Sequence, residues 1–264
     1  MPTIVVNGID LYYERAGHGP PVLFLNGSGS TLATIAPLLE VMAGHMDVLA
    51  HDQRGLGRSA VPRGPYTMAE YAADALGLID AIGWSACRVV GVSFGGMVAQ
   101  ELAVTAPGRV ERLALMCTSP GGEGGSSYPL HELAELSPSR RDEISTTLLD
   151  SRFSAPWLAT HPGDRMLVET MARRRSDDVS EQVRRGEAEQ LGARRHHDVW
   201  DRLARITCPT FVAAGRYDGI APLANSEAIA SRVPGATLHV YEGGHAFFVQ
   251  DRRALPEIID FLEA

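Results

Sequence analysis

Residues 91–96 read GVSFGG, and the pattern around them decides the fold. The motif Gly-x-Ser-x-Gly, centred on Ser93, follows an apolar run that predicts a strand over 88–93 and precedes a helical pattern over 97–106. A strand that turns at once into a helix strains its central residue and leaves room only for small residues two positions away. The sequence therefore predicts an α/β fold in which Ser93 projects above the carboxyl end of a strand.

The composition is that of an ordinary globular protein of 264 residues, of which 45% are hydrophobic and 21% are charged. A net charge of −8 and a pI near 5.6 are unlike the basic footprint of a nucleic-acid-binding domain. The chain contains no lysine, which excludes a Schiff-base lysine, a Ser–Lys dyad and a phosphate-binding Walker lysine. We expect no nucleic-acid partner and a core large enough for one α/β unit.

Three cysteines, Cys87, Cys117 and Cys208, lie far apart in the chain and beside apolar runs, which is typical of buried free thiols. The amino-terminal stretch lacks the charged start and the long apolar segment of a signal peptide. No apolar run approaches the roughly 18 residues that a membrane span requires. These features predict a reduced, cytoplasmic protein with no membrane partner.

Strand-like and helix-like segments alternate along the first part of the chain. The pair Asn7 and Gly8, between two β-type runs, predicts a hairpin. The alternation that follows predicts a mostly parallel, doubly wound sheet with helices on both faces. It stops at the Gly- and Ser-rich stretch 119–129 and resumes with a strand-like run at 210–215. We therefore expect an α/β core in two parts with a helical cap insertion between them: core 1–120, cap 121–205 and core 206–264.

A serine hydroxyl is a weak nucleophile, so Ser93 requires a general base and a group that orients the base. His245 follows the strand-like run TLHVY, in the stretch EGGHAFF, where glycines free the backbone to aim an imidazole. Asp218 comes just after the run TFVAAG, so the chain order is Ser, Asp, His. His239 lies within a strand and is more typical of a structural residue, and Glu123 stands farther from its strand than Asp218 does.

With these motifs, the chain resembles the α/β-hydrolase superfamily over nearly its whole length outside the insertion. The stretch HDQRGLGRS (51–59) is similar to that family's loop after the fourth strand. An oxyanion loop that contains Asn26, together with SFGGMVAQ, resembles 3-oxoadipate enol-lactonases and related cap-bearing esterases. The resemblance implies that the backbone N–H groups of Ser28 and Phe94 form an oxyanion hole. Asn26 stands where the family often has histidine, so its own role stays open.

The resemblance implies a serine hydrolase that cleaves a carboxylic ester or lactone of a small molecule, such as an enol-lactone, through an acyl-enzyme. It implies neither a metal nor an organic cofactor. The adjacent His196 and His197 cannot share one helix face, so they are poor candidates for a metal site. Two alternatives stay open, namely hydrolysis of a carbon–carbon bond in a ring-cleavage product and ligand binding without turnover. Because enol-lactonases act on acidic substrates, an insertion arginine, such as one at 173–175, is a candidate partner for a substrate carboxylate. The sequence selects neither that arginine nor the oligomeric state.

Overall fold

A computed structural model describes residues 2–174 and 180–264 of the chain. Eight strands form its sheet: β1 (Thr3–Val6), β2 (Ile9–Ala16), β3 (Pro21–Leu25), β4 (Asp47–His51), β5 (Cys87–Val92), β6 (Val110–Met116), β7 (Thr210–Gly215) and β8 (Thr237–Tyr241). They lie in the order β1-β2-β4-β3-β5-β6-β7-β8. β2 pairs antiparallel with both β1 and β4, and the other neighbouring strands are parallel. The predicted α/β-hydrolase fold, with its mostly parallel sheet, is confirmed.

Helices connect the parallel strands and fill the insertion. They are α1 (Leu32–Ala43), α2 (Met68–Ile82), α3 (Phe94–Thr105), α4 (Pro138–Leu149), α5 (Ala155–Thr160), α6 (Pro162–Arg174), α7 (Glu181–Arg195), α8 (Leu223–Arg232), α9 (Phe247–Gln250) and α10 (Ala254–Glu263). α4 to α7 all lie between β6 and β7, where the sequence predicts an insertion. Among the described residues, no helix is long and apolar enough to cross a membrane.

The two faces of the sheet bury two separate hydrophobic clusters. Along β3, Leu23 and Leu25 pack into one cluster while Val22 and Phe24 pack into the other, because successive side chains of a strand point to opposite faces. Residues of α2, α3 and α8 complete the first cluster, and residues of α1, α9 and α10 complete the second. β5 therefore ends in the middle of a sheet that is covered on both faces, as predicted.

The structure agrees with the prediction from sequence at the hairpin and differs from it at the start of α3. Asn7 and Gly8 join β1 to β2 with φ values of 51° and 77°, which is the left-handed conformation that such a turn requires. α3 begins at Phe94 and not at the predicted residue 97, because Ser93 is itself the N-cap residue. The glycines after Phe94 therefore lie inside the first turn of the helix, where Gly95 faces the backbone of Leu25 and Gly96 faces the side chain of Thr118.

The three cysteines are buried free thiols, as expected. Of the three arginines at 173–175, Arg173 is exposed and Arg175 lies outside the described residues.

Candidate active site

Ser93 sits at the turn between β5 and α3 in a strained conformation, with φ 55° and ψ −114°. The glycines around it are required by contact with other backbone. A Cβ atom at Gly95 would lie 2.0 Å from the carbonyl oxygen of Leu25, and one at Gly91 would lie 2.5 Å from the carbonyl oxygen of Gly95. Both separations are far below any allowed contact, so only glycine permits this turn.

Ser93, His245 and Asp218 form one hydrogen-bonded relay. The Nε2 atom of His245 lies 2.9 Å from Ser93 Oγ, and its Nδ1 atom lies 2.8 Å from Asp218 Oδ2. The other carboxylate oxygen of Asp218 accepts hydrogen bonds from the amides of Ile220 at 2.8 Å and Ala221 at 2.9 Å. A buried carboxylate fixed in this way favours the proton on Nδ1, which leaves Nε2 free to accept the serine proton.

The loops that carry the acid and the histidine are held by the end of α4. The amide of His245 donates to the carbonyl of Leu149 at 2.6 Å, and the amide of Gly219 donates to the carbonyl of Leu148 at 3.1 Å. The last carbonyls of a helix have no partner within the helix, so they are available for such contacts. The main chain of α4 thus supports the relay directly.

The loop after β3 runs beside the serine. A Cβ atom at Gly27 would lie 3.6 Å from the Cβ atom of Ser93, so the next residue, Ser28, has its amide close to the turn. Phe94 is the first residue of α3, and the first amides of a helix have no acceptor within it. The two N–H groups predicted for the oxyanion hole therefore belong to the residue that follows Gly27 and to the residue that follows Ser93, and Gly27 is the part of this loop that packs against Ser93.

Three polar side chains shape this loop, and sequence reasoning named only Asn26 among them. Asn26 is fully buried, and its Nδ2 donates to the carbonyl of Ser30 at 3.4 Å. Gln53 Nε2 donates to the carbonyl of Asn26 at 2.8 Å, and Gln190 Oε1 accepts from the amide of Gly29 at 2.8 Å. Gln190 belongs to α7, 161 residues from Gly29, so no local pattern could have indicated the contact.

The stretch HDQRGLGRS begins at the last residue of β4 and continues as the loop after it, the place that its resemblance implies. Asp52 is buried and accepts hydrogen bonds from the amides of Leu32 at 2.7 Å and Arg58 at 2.9 Å. Arg54 pairs through Nε and Nη2 with both carboxylate oxygens of buried Asp74, at 2.6 and 2.9 Å. These contacts fix the start of α1 and the position of Gln53 under the oxyanion loop.

One group near the relay has metal-ligand atoms at short range. Cys117, Asp218 and His245 each place such an atom within 4.8 Å of the others. Burial raises the pKa of the Cys117 thiol well above its ordinary value, so it stays protonated, whereas metals bind the thiolate. Both ring nitrogens of His245 already have partners. The group therefore fits a proton relay better than a metal site. His196 is exposed and His197 is buried, so that pair does not converge either.

A family model described as serine aminopeptidase, S33, matches residues 20–251. The chain belongs to this family of α/β-hydrolases. This α/β-hydrolase is 30% identical over 247 residues to the poly(3-hydroxyalkanoate) depolymerase of Ectopseudomonas oleovorans, with 93% of this chain and 85% of that protein covered. It is 33% identical over 268 residues to a protein named for carbamate hydrolysis, RutD of Variovorax paradoxus strain S110, with 96% of each covered.

Among solved structures, the enol-lactonase from Burkholderia xenovorans LB400 is similar over 100% of both chains, with a TM-score of 0.81 and 25% sequence identity. In α/β-hydrolases the nucleophile, the acid and the histidine follow one another in that order along the chain. Ser93, Asp218 and His245 have this order in the present α/β-hydrolase.

Proposed function

We propose that the protein is a serine hydrolase of small-molecule carboxylic esters or lactones, and that Ser93, His245 and Asp218 are its catalytic triad. The observation that carries the proposal is the relay of 2.9 and 2.8 Å hydrogen bonds from the strained serine through the imidazole to a buried carboxylate. The similar proteins support the same chemistry, since poly(3-hydroxyalkanoate), a carbamate and an enol-lactone each contain an acyl carbonyl.

In this mechanism His245 Nε2 takes the proton of Ser93 while Oγ attacks the carbonyl carbon. The carbonyl oxygen becomes an oxyanion that accepts hydrogen bonds from the amides of Ser28 and Phe94, each worth about 10²- to 10³-fold in rate. The tetrahedral intermediate then collapses, and the leaving alkoxide takes the proton from His245. The products of this half-reaction are an alcohol, which in a lactone stays tethered, and an acyl-enzyme at Ser93.

Water completes the cycle by the reverse sequence of proton transfers. His245 takes a proton from water as the oxygen attacks the acyl carbon, and then returns it to Ser93 Oγ as the acid departs. Asp218 keeps the imidazole in the required tautomer and stabilises its cationic form in both halves. In this proposal residues 121–205 form the cap that encloses the substrate above the core segments 1–120 and 206–264.

The experiment is turnover of p-nitrophenyl acetate and of small lactones by wild type and Ser93→Ala, with Ser231→Ala as the matched control. Ser231 is an exposed serine on α8, and its removal is expected to leave turnover unchanged. Ser93→Ala should retain less than about 1% of the activity with the fold intact by circular dichroism. Activity above a few per cent of the wild-type value would show that Ser93 is not the nucleophile.

A fluorophosphonate probe gives an independent test. The hydrolase is supported if the probe forms a single adduct on Ser93, located by mass spectrometry, and if unlabelled protein turns over esters many times per chain. An adduct on Ser93 with one turnover per chain and no steady phase would favour ligand binding with an intact relay instead.

A further inference from the structure

Helix α7 packs one face against the loops after β3 and β4. Gly186, Gln190 and Arg194 are spaced by four residues, so they share this face, and all three are buried. A Cβ atom at Gly186 would lie 1.9 Å from the carbonyl oxygen of Gly55, which shows how closely the helix approaches the core. Gln190 then contacts the oxyanion loop through Gly29, and Arg194 lies one turn farther on.

Arg194 is a buried cation whose hydrogen bonds are incomplete. Only 6% of the residue is exposed, and its Nη1 donates to the carbonyl of Tyr128 at 2.7 Å. None of the described residues offers a partner to its Nε or its Nη2. Burial lowers the pKa of Arg194 to about 10, so the side chain is still charged near neutral pH. An unpaired buried charge is costly, so this edge of the guanidinium calls for an acceptor.

The open edge is the one that other arginines of this protein use to bind carboxylates. Arg15 donates through Nε and Nη2 to the two carboxylate oxygens of Asp47 at 2.9 and 2.6 Å. Arg152 does the same to Asp150 at 2.9 and 2.6 Å. The planar fork of Nε and Nη2 matches the two oxygens of a carboxylate. In Arg194 the same fork is buried and has no hydrogen-bond partner among the described residues, while Asp218 raises the pKa of the guanidinium through space.

A series of hydrogen bonds connects Arg194 to the catalytic relay. The amide of Tyr128, whose carbonyl binds Arg194, donates to the carbonyl of Ile220 at 2.7 Å. The amide of Ile220 donates in turn to Asp218 Oδ1 at 2.8 Å. α7 therefore contacts the oxyanion loop directly and reaches the loop of Asp218 through Tyr128, and Asp218 is joined to Ser93 through His245.

Arg194 also lines a cavity of about 340 Å³, a volume that suits a small molecule. Met97, one turn after Ser93 on α3, lines the same cavity. Burial lowers the pKa of His197, another lining residue, to about 4, so its ring is neutral near pH 7. Among the described lining residues Glu132 is the one carboxylate, and it is exposed. The cavity lining therefore carries the positive charges of buried Arg194 and exposed Arg195, and it approaches Ser93 at Met97 without including Ser93 itself.

We propose that Arg194 binds a carboxylate of the substrate through Nε and Nη2, so that the substrates are esters or lactones that carry a second, free carboxylate. This inference rests on the proposed hydrolase function and assigns the substrate class of the same site. It selects one arginine from the many in the insertion because that residue alone, among those described, combines burial with an unpaired fork on the helix that contacts the loop after β3.

The first experiment compares kcat/KM for mono-p-nitrophenyl glutarate with kcat/KM for neutral p-nitrophenyl butyrate. We expect wild type to prefer the anionic ester and Arg194→Gln to lower that preference by about 10- to 100-fold. The matched control is Arg184→Gln, which removes an exposed arginine from the same helix and should keep the wild-type preference. An Arg194→Gln preference equal to that of wild type would overturn the proposal.

The second experiment needs no turnover. Glutarate should raise the melting temperature of wild type and of Ser93→Ala, and should leave that of Arg194→Gln unchanged. If Arg194→Gln does not fold, Arg194→Lys, which keeps the charge and loses the fork, should show a reduced preference for the anionic ester. A wild type that turns over the neutral ester and is not stabilised by glutarate would refute the role of Arg194 alone. Glutarate binding that depends on Arg194, without ester turnover, would refute the hydrolase proposal alone.

Discussion

Gln190 on α7 accepts a hydrogen bond from the amide of Gly29 at 2.8 Å, across 161 residues of sequence. Gly29 directly follows Ser28, whose amide is a proposed oxyanion donor. The side chain of Gln190 is buried, and its Nε2 has no partner among the residues described. The conformation of the loop after β3 therefore depends on a residue of α7, and not only on the loop's own glycines.

Replacing Gln190 with Met tests this dependence, because Met has a similar shape and no acceptor for the Gly29 amide. We expect kcat to fall about 10-fold, since an unpaired amide disturbs the loop, while KM changes little. Gln182→Met makes the same chemical change at an exposed position of α7 and should behave as wild type. A Gln190→Met enzyme with wild-type kcat would show that the loop holds its shape alone.

Replacing Asp218 with Asn tests the proposed orientation of the histidine. Asn Oδ1 can still accept the amides of Ile220 and Ala221, so its amide nitrogen would face His245 Nδ1 and favour the wrong tautomer. We expect kcat to fall by up to about 10⁴-fold with the fold intact. Asp201→Asn, at a carboxylate whose side chain is 90% exposed, is the control. Near-wild-type turnover by Asp218→Asn would move the acid role to another residue.

Two glycine substitutions should have opposite effects on stability. Gly95→Ala places a methyl group 2.0 Å from the Leu25 carbonyl oxygen, so it should cost about 3 kcal/mol or more in the free energy of unfolding. Gly192 lies within α7 with no atom within 4 Å of an added Cβ, so Gly192→Ala should stabilise by about 0.5–1 kcal/mol. Urea denaturation measures both. A Gly95→Ala protein of unchanged stability would contradict the backbone contact.

A buried histidine should make stability depend on pH. His51 at the end of β4 is 2% exposed, and burial lowers its pKa from 6.5 to about 4. The unfolded chain therefore binds the proton first as pH falls, so stability is full above about pH 6.5 and declines until about pH 4, by up to about 3 kcal/mol. The measurement is the free energy of unfolding across this window, where His51→Gln should show a shallower decline. An equal slope in both proteins would exclude His51 as the source.

The sequence predicts the core well because its signals are local. Alternating strands and helices determine the sheet, and turn chemistry fixes the hairpin at Asn7 and Gly8. Ser93, Asp218 and His245 each follow a parallel strand, and the carboxyl ends of parallel strands meet at one edge of the sheet, so the structure brings the three together.

The parts that sequence reasoning missed depend on contacts between distant segments. The bond from Gly29 to Gln190 joins two stretches with no shared pattern. The burial of Arg194 was also missed, because an arginine in a polar helix gives no sign of whether it will be buried. Its 6% exposure results from the packing of the whole of α7 on the core, which is a tertiary property.

The carbonyls of Leu148 and Leu149 at the end of α4 hold the loops of Asp218 and His245. Because the contacts come from the main chain, they constrain the path of the polypeptide and not the identity of its side chains. During divergence, substitutions at this helix end are tolerable, whereas an insertion or deletion that shifts it would move acid and base together. Recombination that exchanges the segment between β6 and β7 among relatives should therefore succeed only when the donor segment ends its helix equivalent to α4 at the same place.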